Sequence, residues 1–296
     1  MNLLTDINYI YDLLARHGFR FSKSLGQNFL TASWVPEDIA ESAGLNENTG
    51  VLEIGAGVGC LTRELSARAG KVVCVELDRA LEPILAETLI GCKNVEMVYG
   101  DILKQDIPAL VAEKLDGLRP VVCANLPYYI TTPVIMKLLE SFPDRERLPF
   151  ASIVVMVQLE VARRLAAKAG SADYGSISAS IALRANAEKL LDVSAGNFHP
   201  VPKVASAVVG IIPHGGVREV YKDAPDDIAK FTEDVVDVIS LAFGQRRKTF
   251  LNAVSGKYPK DKTQAVLEEL GIRPDVRGEV LSAEDFCRIT DKLRQK

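Results

Sequence analysis

Val51-Leu-Glu-Ile-Gly-Ala-Gly-Val-Gly59 is the stretch on which the fold turns. Val51–Ile54 reads as a short buried strand, and the glycines at 55, 57 and 59 punctuate it before a helical pattern begins over Leu61–Ala69. A glycine-rich turn between strand and helix makes a tight bend and lets a ligand lie against bare backbone at the helix N-terminus. The spacing is G-x-G-x-G, shorter than the G-x-G-x-x-G of dinucleotide sites. Glu76, twenty-one residues after Gly55, ends the next strand, where an acid accepts hydrogen bonds from ribose hydroxyls. Asp101, in Tyr99-Gly-Asp-Ile-Leu103, ends the third strand and is placed to receive an adenine amino group. The set implies an adenosine-containing cofactor. Strand order alone does not separate NAD from S-adenosylmethionine.

Outward from this centre, strands and helices alternate. Lys71–Glu76, Val95–Tyr99, Pro120–Asn125 and Ser152–Val157 read as strands, with helices over Arg79–Leu89, Thr132–Ser141 and Leu159–Lys168. That rhythm predicts an α/β, Rossmann-like, mostly parallel sheet with helices on both faces. Leu190–Val193 and Ser206–Ile212 add an antiparallel edge. After Pro213-His-Gly-Gly216 the pattern changes, with apolar residues at helical spacing (Ile228, Phe231, Val235, Val238, Ala242) and Ser282 with Asp285 as a capping box for the last helix. Two domains are expected: residues 1–213 binding the cofactor, and a small all-helical domain over 214–296.

Composition bounds the function classes. With 296 residues, 48% hydrophobic and 25% charged, the chain has the profile of a soluble globular protein. It contains no apolar run of the length a membrane span needs, and Met1–Asp12 lacks a signal-peptide pattern, which predicts a cytoplasmic protein with no membrane partner. Five cysteines without a C-x-x-C pair and three scattered histidines fit neither a zinc site nor a disulfide framework, so no metal is expected. Cys74 and Cys123 lie in apolar runs and read as buried, inert thiols. The net charge of −4 resides in residues 1–213, while 214–296 is neutral, so there is no bulk field for nucleic acid. Basic residues nevertheless cluster at Arg145/Arg147, Arg163/Arg164/Lys168 and Arg246/Arg247/Lys248. Such clusters suit a phosphate-contacting rim and a partner recognised by shape.

Asn125-Leu-Pro-Tyr128 ends the fourth strand, on the carboxyl edge where open α/β sheets bind ligands. An exocyclic adenine amine is a poor nucleophile because its lone pair is delocalised into the ring. An enzyme acting on it must accept hydrogen bonds from its N–H groups, which the Asn125 side-chain oxygen and the Leu126 carbonyl can do. Pro127 fixes the turn, and Tyr128 offers a ring on which the base stacks. A sulfonium methyl donor brings its own leaving group, so no strong general base is needed.

With these residues in hand, the chain resembles the ribosomal RNA adenine dimethyltransferase family (KsgA/RsmA) of class I S-adenosylmethionine-dependent methyltransferases. The resemblance runs through Lys23-Ser-Leu-Gly-Gln-Asn-Phe-Leu30, the glycine loop, Glu76, Asp101 and Asn125-Leu-Pro-Tyr-Tyr-Ile130. It continues through Val157-Gln-Leu-Glu-Val-Ala-Arg163, Tyr174-Gly175, Asn197-Phe-His-Pro-Val-Pro-Lys-Val-Ala-Ser206 and Phe243-Gly-Gln-Arg-Arg-Lys248 with Asn252. It implies S-adenosyl-L-methionine as cofactor, with Asn28, Leu30, Gly55, Gly57, Glu76, Leu77, Asp101, Ile102 and Asn125 lining its site. Asn125, Leu126, Pro127 and Tyr128 would hold the target base, with Phe198 on its other face. Arg163, Arg164, Lys203, Arg246, Arg247 and Lys248 are the expected RNA contacts. The implied substrate is a pair of adjacent adenosines in a hairpin loop near the 3′ end of small-subunit (16S) rRNA, each dimethylated on N6 within an immature 30S subunit. Separately, the pattern shows no self-complementary apolar patch, and a monomer is expected. The chain departs from the family at Val58 and Cys60, where a small or polar residue and an alanine or serine are usual, so Cys60 is expected to touch the cofactor pocket.

Four alternatives have distinct signatures. Methyltransferases of the macrolide-resistance type, acting on one large-subunit rRNA adenine, tend to be shorter and strongly basic. A DNA adenine methyltransferase needs a target-recognition domain, for which the last ~80 residues are too few and too helical. An RNA-binding assembly factor on the same fold would work without turnover. A nicotinamide oxidoreductase would need a hydride-transfer acid, and no motif supplies one.

Overall fold

The computed structural model describes residues 3–19, 28–141, 150–245 and 247–295. The strands are β1 (Phe29–Leu30), β2 (Thr49–Ile54), β3 (Lys71–Glu76), β4 (Val95–Tyr99), β5 (Arg119–Asn125), β6 (Ser152–Gln158), β7 (Ala185–Val193), β8 (Phe198–His199) and β9 (Ser206–Pro213). Seven form one sheet in the order β4-β3-β2-β5-β6-β9-β7. Pairing is parallel from β4 through β6, and β9 runs antiparallel to β6. All six residues of β2 are buried between parallel neighbours, which is why Val51–Ile54 reads as a continuous run rather than an alternation. Chain order reverses direction beside β2: β3 and β4 lie on one side, β5 and β6 on the other. A crevice therefore opens at the carboxyl ends of β2 and β5.

Helices α1 (Ile7–Arg16), α2 (Trp34–Ser42), α3 (Cys60–Ser66), α4 (Glu82–Thr88), α5 (Ile107–Lys114), α6 (Thr131–Glu140) and α7 (Leu159–Leu165) accompany this sheet. On one face Val35, Ile39, Leu61 and Leu65 pack against Val51, Val72, Val121 and Val154. Each such buried side chain contributes about 1.5–3 kcal/mol of transfer free energy. Helix α1 places Ile10, Leu13 and Leu14 in a cluster with Leu81, Ile84, Leu85 and the glycine-loop residues Ala56 and Val58. Asp6 caps α1 by accepting the Asn8 and Tyr9 N–H groups at 2.8 and 3.0 Å. Arg16 and His17 fasten its far end to Glu87 of α4 at 2.8 and 2.7 Å.

The remaining helices are α8 (Ser176–Ala182), α9 (Val217–Val220), α10 (Ile228–Gly244), α11 (Phe250–Val254), α12 (Lys260–Glu269) and α13 (Ala283–Arg294). Phe231, Val235, Val238, Ile239 and Ala242 form the buried stripe of α10, as their spacing predicts. They pack with Phe250, Leu267, Phe286 and Ile289 into a separate core. The Ser282–Asp285 capping box is present, with the Asp285 N–H donating to Ser282 Oγ at 3.1 Å and the Ser282 N–H to Asp285 Oδ2 at 3.0 Å. Of the described residues, those up to 141 with 150–162 and 188–213 make one compact unit, and 163–187 with those from 214 onward make the other. The sequence pattern places the change only at 213. It does not reveal that Arg163–Ala187 pack with the helical unit, because that association rests on non-local contacts such as Tyr174 Oη donating to the Leu281 carbonyl at 3.0 Å. Among the described residues no helix is long and apolar enough to cross a membrane.

Glu53 stands in the middle of β2, fully buried, with the Thr62 hydroxyl and the Cys74 thiol beside its carboxyl. Burial pushes its pKa up to about 8. The native state thus keeps a proton that the unfolded chain, with the carboxyl near 4.5, gives up. Stability should fall as pH rises through the window from about 4.5 to about 8 and level off above it. Urea unfolding at stepped pH is expected to show that slope in the wild type and a flattened one in Glu53→Gln. Equal slopes would contradict the assignment.

Candidate active site

The glycine turn between β2 and α3 takes positive φ at Gly55 (80°), Gly57 (56°) and Gly59 (87°), and no other residue type adopts three such angles in a row without strain. Space is restricted as well. A Cβ on Gly59 would lie 3.0 Å from Leu89 Cδ2, whereas one on Gly57 would make only ordinary contact with the Phe29 ring at 3.6 Å. The turn is pinned from the neighbouring strand. Glu76, 6% exposed at the end of β3, accepts the Gly57 N–H on Oε2 at 3.2 Å and the Asp78 N–H on Oε1 at 2.8 Å. Burial raises the Glu76 pKa while these N–H donors oppose the rise. Asp101, following β4, accepts the Leu103 N–H on Oδ1 at 2.9 Å.

Asn125 ends β5 opposite Met156, and the Leu126 N–H donates to the Met156 carbonyl at 3.1 Å, carrying the ladder one step past the strand. Pro127 turns the chain, and its carbonyl accepts from the Ile130 N–H at 3.2 Å and Thr131 Oγ1 at 3.3 Å. Tyr128 is half-buried, and its hydroxyl lies 2.9 Å from Ser206 Oγ. Burial raises its pKa, with the Ser206 contact opposing. Phe198 reaches the site by a different route. β8 pairs antiparallel with β1 in a separate two-stranded sheet, with Leu30 opposite Phe198 and Phe29 opposite His199. The His199 ring is hydrogen-bonded to the Tyr11 hydroxyl of α1.

The glycine turn, the strand-end acids, the Asn125–Tyr128 turn and Phe198 meet in one cleft of about 1110 Å³, its open mouth included. Asn28, Leu30, Gly55, Gly57, Glu76, Leu77, Asp101, Ile102, Asn125, Leu126, Pro127, Tyr128 and Phe198 all line it. So does Cys60, whose buried thiol has its pKa pushed up to about 12 by desolvation and is inert. Sequence reasoning missed Phe29 and Leu81 in the wall and Tyr129 at the mouth, where it is 52% exposed. Tyr129 stands inside the quoted Asn125–Ile130 segment, whereas Leu81 carries no local signal. Of the expected RNA contacts, Arg163, Arg164, Lys203, Arg247 and Lys248 are exposed. Lys203 lies in the sheet unit and the other four in the helical unit. Arg145, Arg147 and Arg246 fall outside the described residues, as does Lys23–Gln27 of the N-terminal segment.

A mostly parallel sheet with one antiparallel strand, β9, inserted between β6 and the edge strand β7, with a glycine turn after its first long strand and acids on the next two strand ends, is the architecture of class I methyltransferases. Solved structures agree. The chain aligns with the 23S rRNA methyltransferase ErmE (TM-score 0.65, 26% identity, 90% of this chain and 100% of that one). It aligns equally with a dimethyladenosine transferase from Plasmodium falciparum (TM-score 0.69, 25% identity, 88% and 95%). The match to the ribosomal RNA adenine dimethylase family spans residues 18–295, and the chain belongs to that family. Among curated relatives, the ribosomal RNA small subunit methyltransferase A of Geobacillus thermodenitrificans is 42% identical over 288 residues, covering 95% of this chain and 94% of its own. That of Bacillus thuringiensis is 40% identical over 294 residues, covering 97% and 96%.

The turn geometry yields a direct check. Gly59→Ala forces φ near 87° on a residue with a Cβ and presses it on Leu89, which should cost about 2 kcal/mol or more of stability. Chemical denaturation reads the loss, and an unchanged midpoint would contradict the geometry.

Proposed function

We propose that the chain transfers methyl groups from S-adenosyl-L-methionine to N6 of two adjacent adenosines in the 3′-terminal hairpin loop of 16S rRNA. Each adenosine is dimethylated within the immature 30S subunit, in the cytoplasm, as a step of ribosome biogenesis. The observation that carries this reading is Asn125-Leu-Pro-Tyr128 lining the same cleft as the glycine turn and Phe198. The small-subunit substrate is favoured over the large because relatives named for the small subunit share 40–43% identity over at least 95% of the chain, against 26% for ErmE.

The cleft's groups fit the cofactor. The bare backbone at Gly55 and Gly57 leaves room for a ligand against the turn. Glu76 and Asp101 supply strand-end carboxylates with lone pairs beyond those their backbone donors use. Asn28, Leu30, Leu77 and Ile102 complete that half of the site. When bound, S-adenosyl-L-methionine supplies a methyl on a sulfonium that departs as a neutral thioether.

The protein's own part is positional and electrostatic. The Asn125 side-chain oxygen and the Leu126 carbonyl accept the two N6–H groups, drawing the nitrogen out of conjugation and freeing its lone pair. Tyr128 and Phe198 hold the extruded base between two rings, a stacking contribution of about 1–3 kcal/mol per face. After transfer the amine sheds a proton to solvent, and the monomethylated nitrogen turns back for the second methyl with one N–H still to be accepted. The exposed Arg163, Arg164, Lys203, Arg247 and Lys248 contact phosphates, and the protein acts as a monomer.

The test is labelled methyl transfer from S-adenosylmethionine to purified undermethylated small subunits, large subunits and duplex DNA, followed by nucleoside analysis. Dimethyladenosine in the small subunits alone is expected. Label in large-subunit RNA would move the protein to the resistance type, and binding without label would make it an assembly factor. In the same assay Asn125→Ala should lower kcat by about a hundredfold or more while cofactor affinity changes far less. Wild-type turnover in that variant would remove Asn125 from the chemistry.

A further inference from the structure

Serine is an odd residue at the head of β9. The strand reads Ser206-Ala-Val-Val-Gly-Ile-Ile-Pro213, apolar throughout its interior, and Ser206 is 0% exposed. A hydroxyl so placed is costly unless it finds a partner. Its partner is Tyr128 Oη at 2.9 Å, seventy-eight residues away in sequence. The geometry between them is defined by a single strand. On one side of β6, Met156 faces Asn125 of β5; on the other, Met156 faces Val208 and Gln158 faces Ser206 of β9. Asn125 and Ser206 are therefore held to a common ruler. Tyr128 is not. It sits in a turn past the end of β5, outside any strand ladder, so no strand register fixes the two side-chain torsions of its ring.

We propose that Ser206 is a positioning residue for methyl transfer. Its hydroxyl holds Tyr128 by the far end of the ring and so transmits the β6–β9 register to the face on which the target base stacks. Asn125 and the ring of Tyr128 then keep a fixed relation although one is in the sheet and the other in a turn. Ser206 itself is absent from the cleft wall, so its effect on the base runs through Tyr128. The inference rests on the reading of Tyr128 as the base platform.

A double-mutant cycle on undermethylated small subunits tests it, with kcat, KM for the subunits and cofactor affinity by calorimetry measured for each protein. Ser206→Ala and Tyr128→Phe each break the same hydrogen bond while keeping ring and backbone. Each is expected to lower kcat by about tenfold, with cofactor affinity held within about twofold, and the double variant should fall no further than either single one. Ser206→Thr, which keeps the hydroxyl, should recover most of the loss. Wild-type kcat in Ser206→Ala, or losses that multiply in the double variant, would overturn the proposal while leaving the function intact. A wild-type protein that labels no small subunits would overturn both, and that result is read from a separate arm.

Discussion

The Glu76 carboxylate, set into the end of β3 and accepting the Gly57 N–H, is the contact on which the rest of the cleft depends. A turn with three positive-φ glycines has unusual backbone freedom in the unfolded chain and few side chains with which to define itself when folded. Its shape is imposed from outside: by Glu76 holding the Gly57 N–H, and by the packing of Ala56 and Val58 with Phe29, Leu81, Ile84 and Leu85. The same carboxylate accepts the Asp78 N–H and fixes the chain as it leaves β3. One buried acid thus organises both the floor and one rim of the cleft, with acceptor capacity left for a ligand.

What holds the opposite rim is of a different kind. Asn125 is fixed by the sheet, whereas Tyr128 and Phe198 come from segments lacking a place in it. Phe198 is tied by a two-residue pairing with β1, and Tyr128 by one hydroxyl contact to β9. The sheet supplies a rigid edge, and non-local tethers bring aromatic surface to it. That division suits a site that binds a compact cofactor on one side and an extruded base on the other. Against this, β2 carries a fully buried Glu53 with only weak polar company, Thr62 and Cys74, a cost the fold bears in its most protected strand.

Much of this was legible in the sequence because the decisive groups sit where local pattern and strand end coincide. Val51–Gly59, Glu76, Asp101 and Asn125–Tyr128 all lie where an apolar run stops, and an apolar run is what a single sequence reveals best. The elements that escaped have physical reasons. β7 begins at Ala185, five residues before the expected Leu190, because its first half is polar and largely exposed at the sheet edge and offers no hydrophobic period. α7 stops at Leu165 rather than Lys168, with Ala167 already in a turn on the Arg164 carbonyl. Arg79–Leu89 opens as a single 3-10 turn over Arg79–Leu81, with Asp78 accepting the Ala80 N–H. The β1–β8 pair, only two residues on each side, joins positions about 170 apart and leaves no periodic trace.

Glu76 and the glycine turn are proposed to form a cofactor half of the cleft that works independently of the base half. Calorimetric titration of S-adenosylmethionine into Glu76→Ala, beside the wild type, tests it most directly. The account predicts a loss of at least about tenfold in affinity, because both a ligand acceptor and the pin on Gly57 disappear. Wild-type affinity in that variant, with the protein still folded, would contradict it.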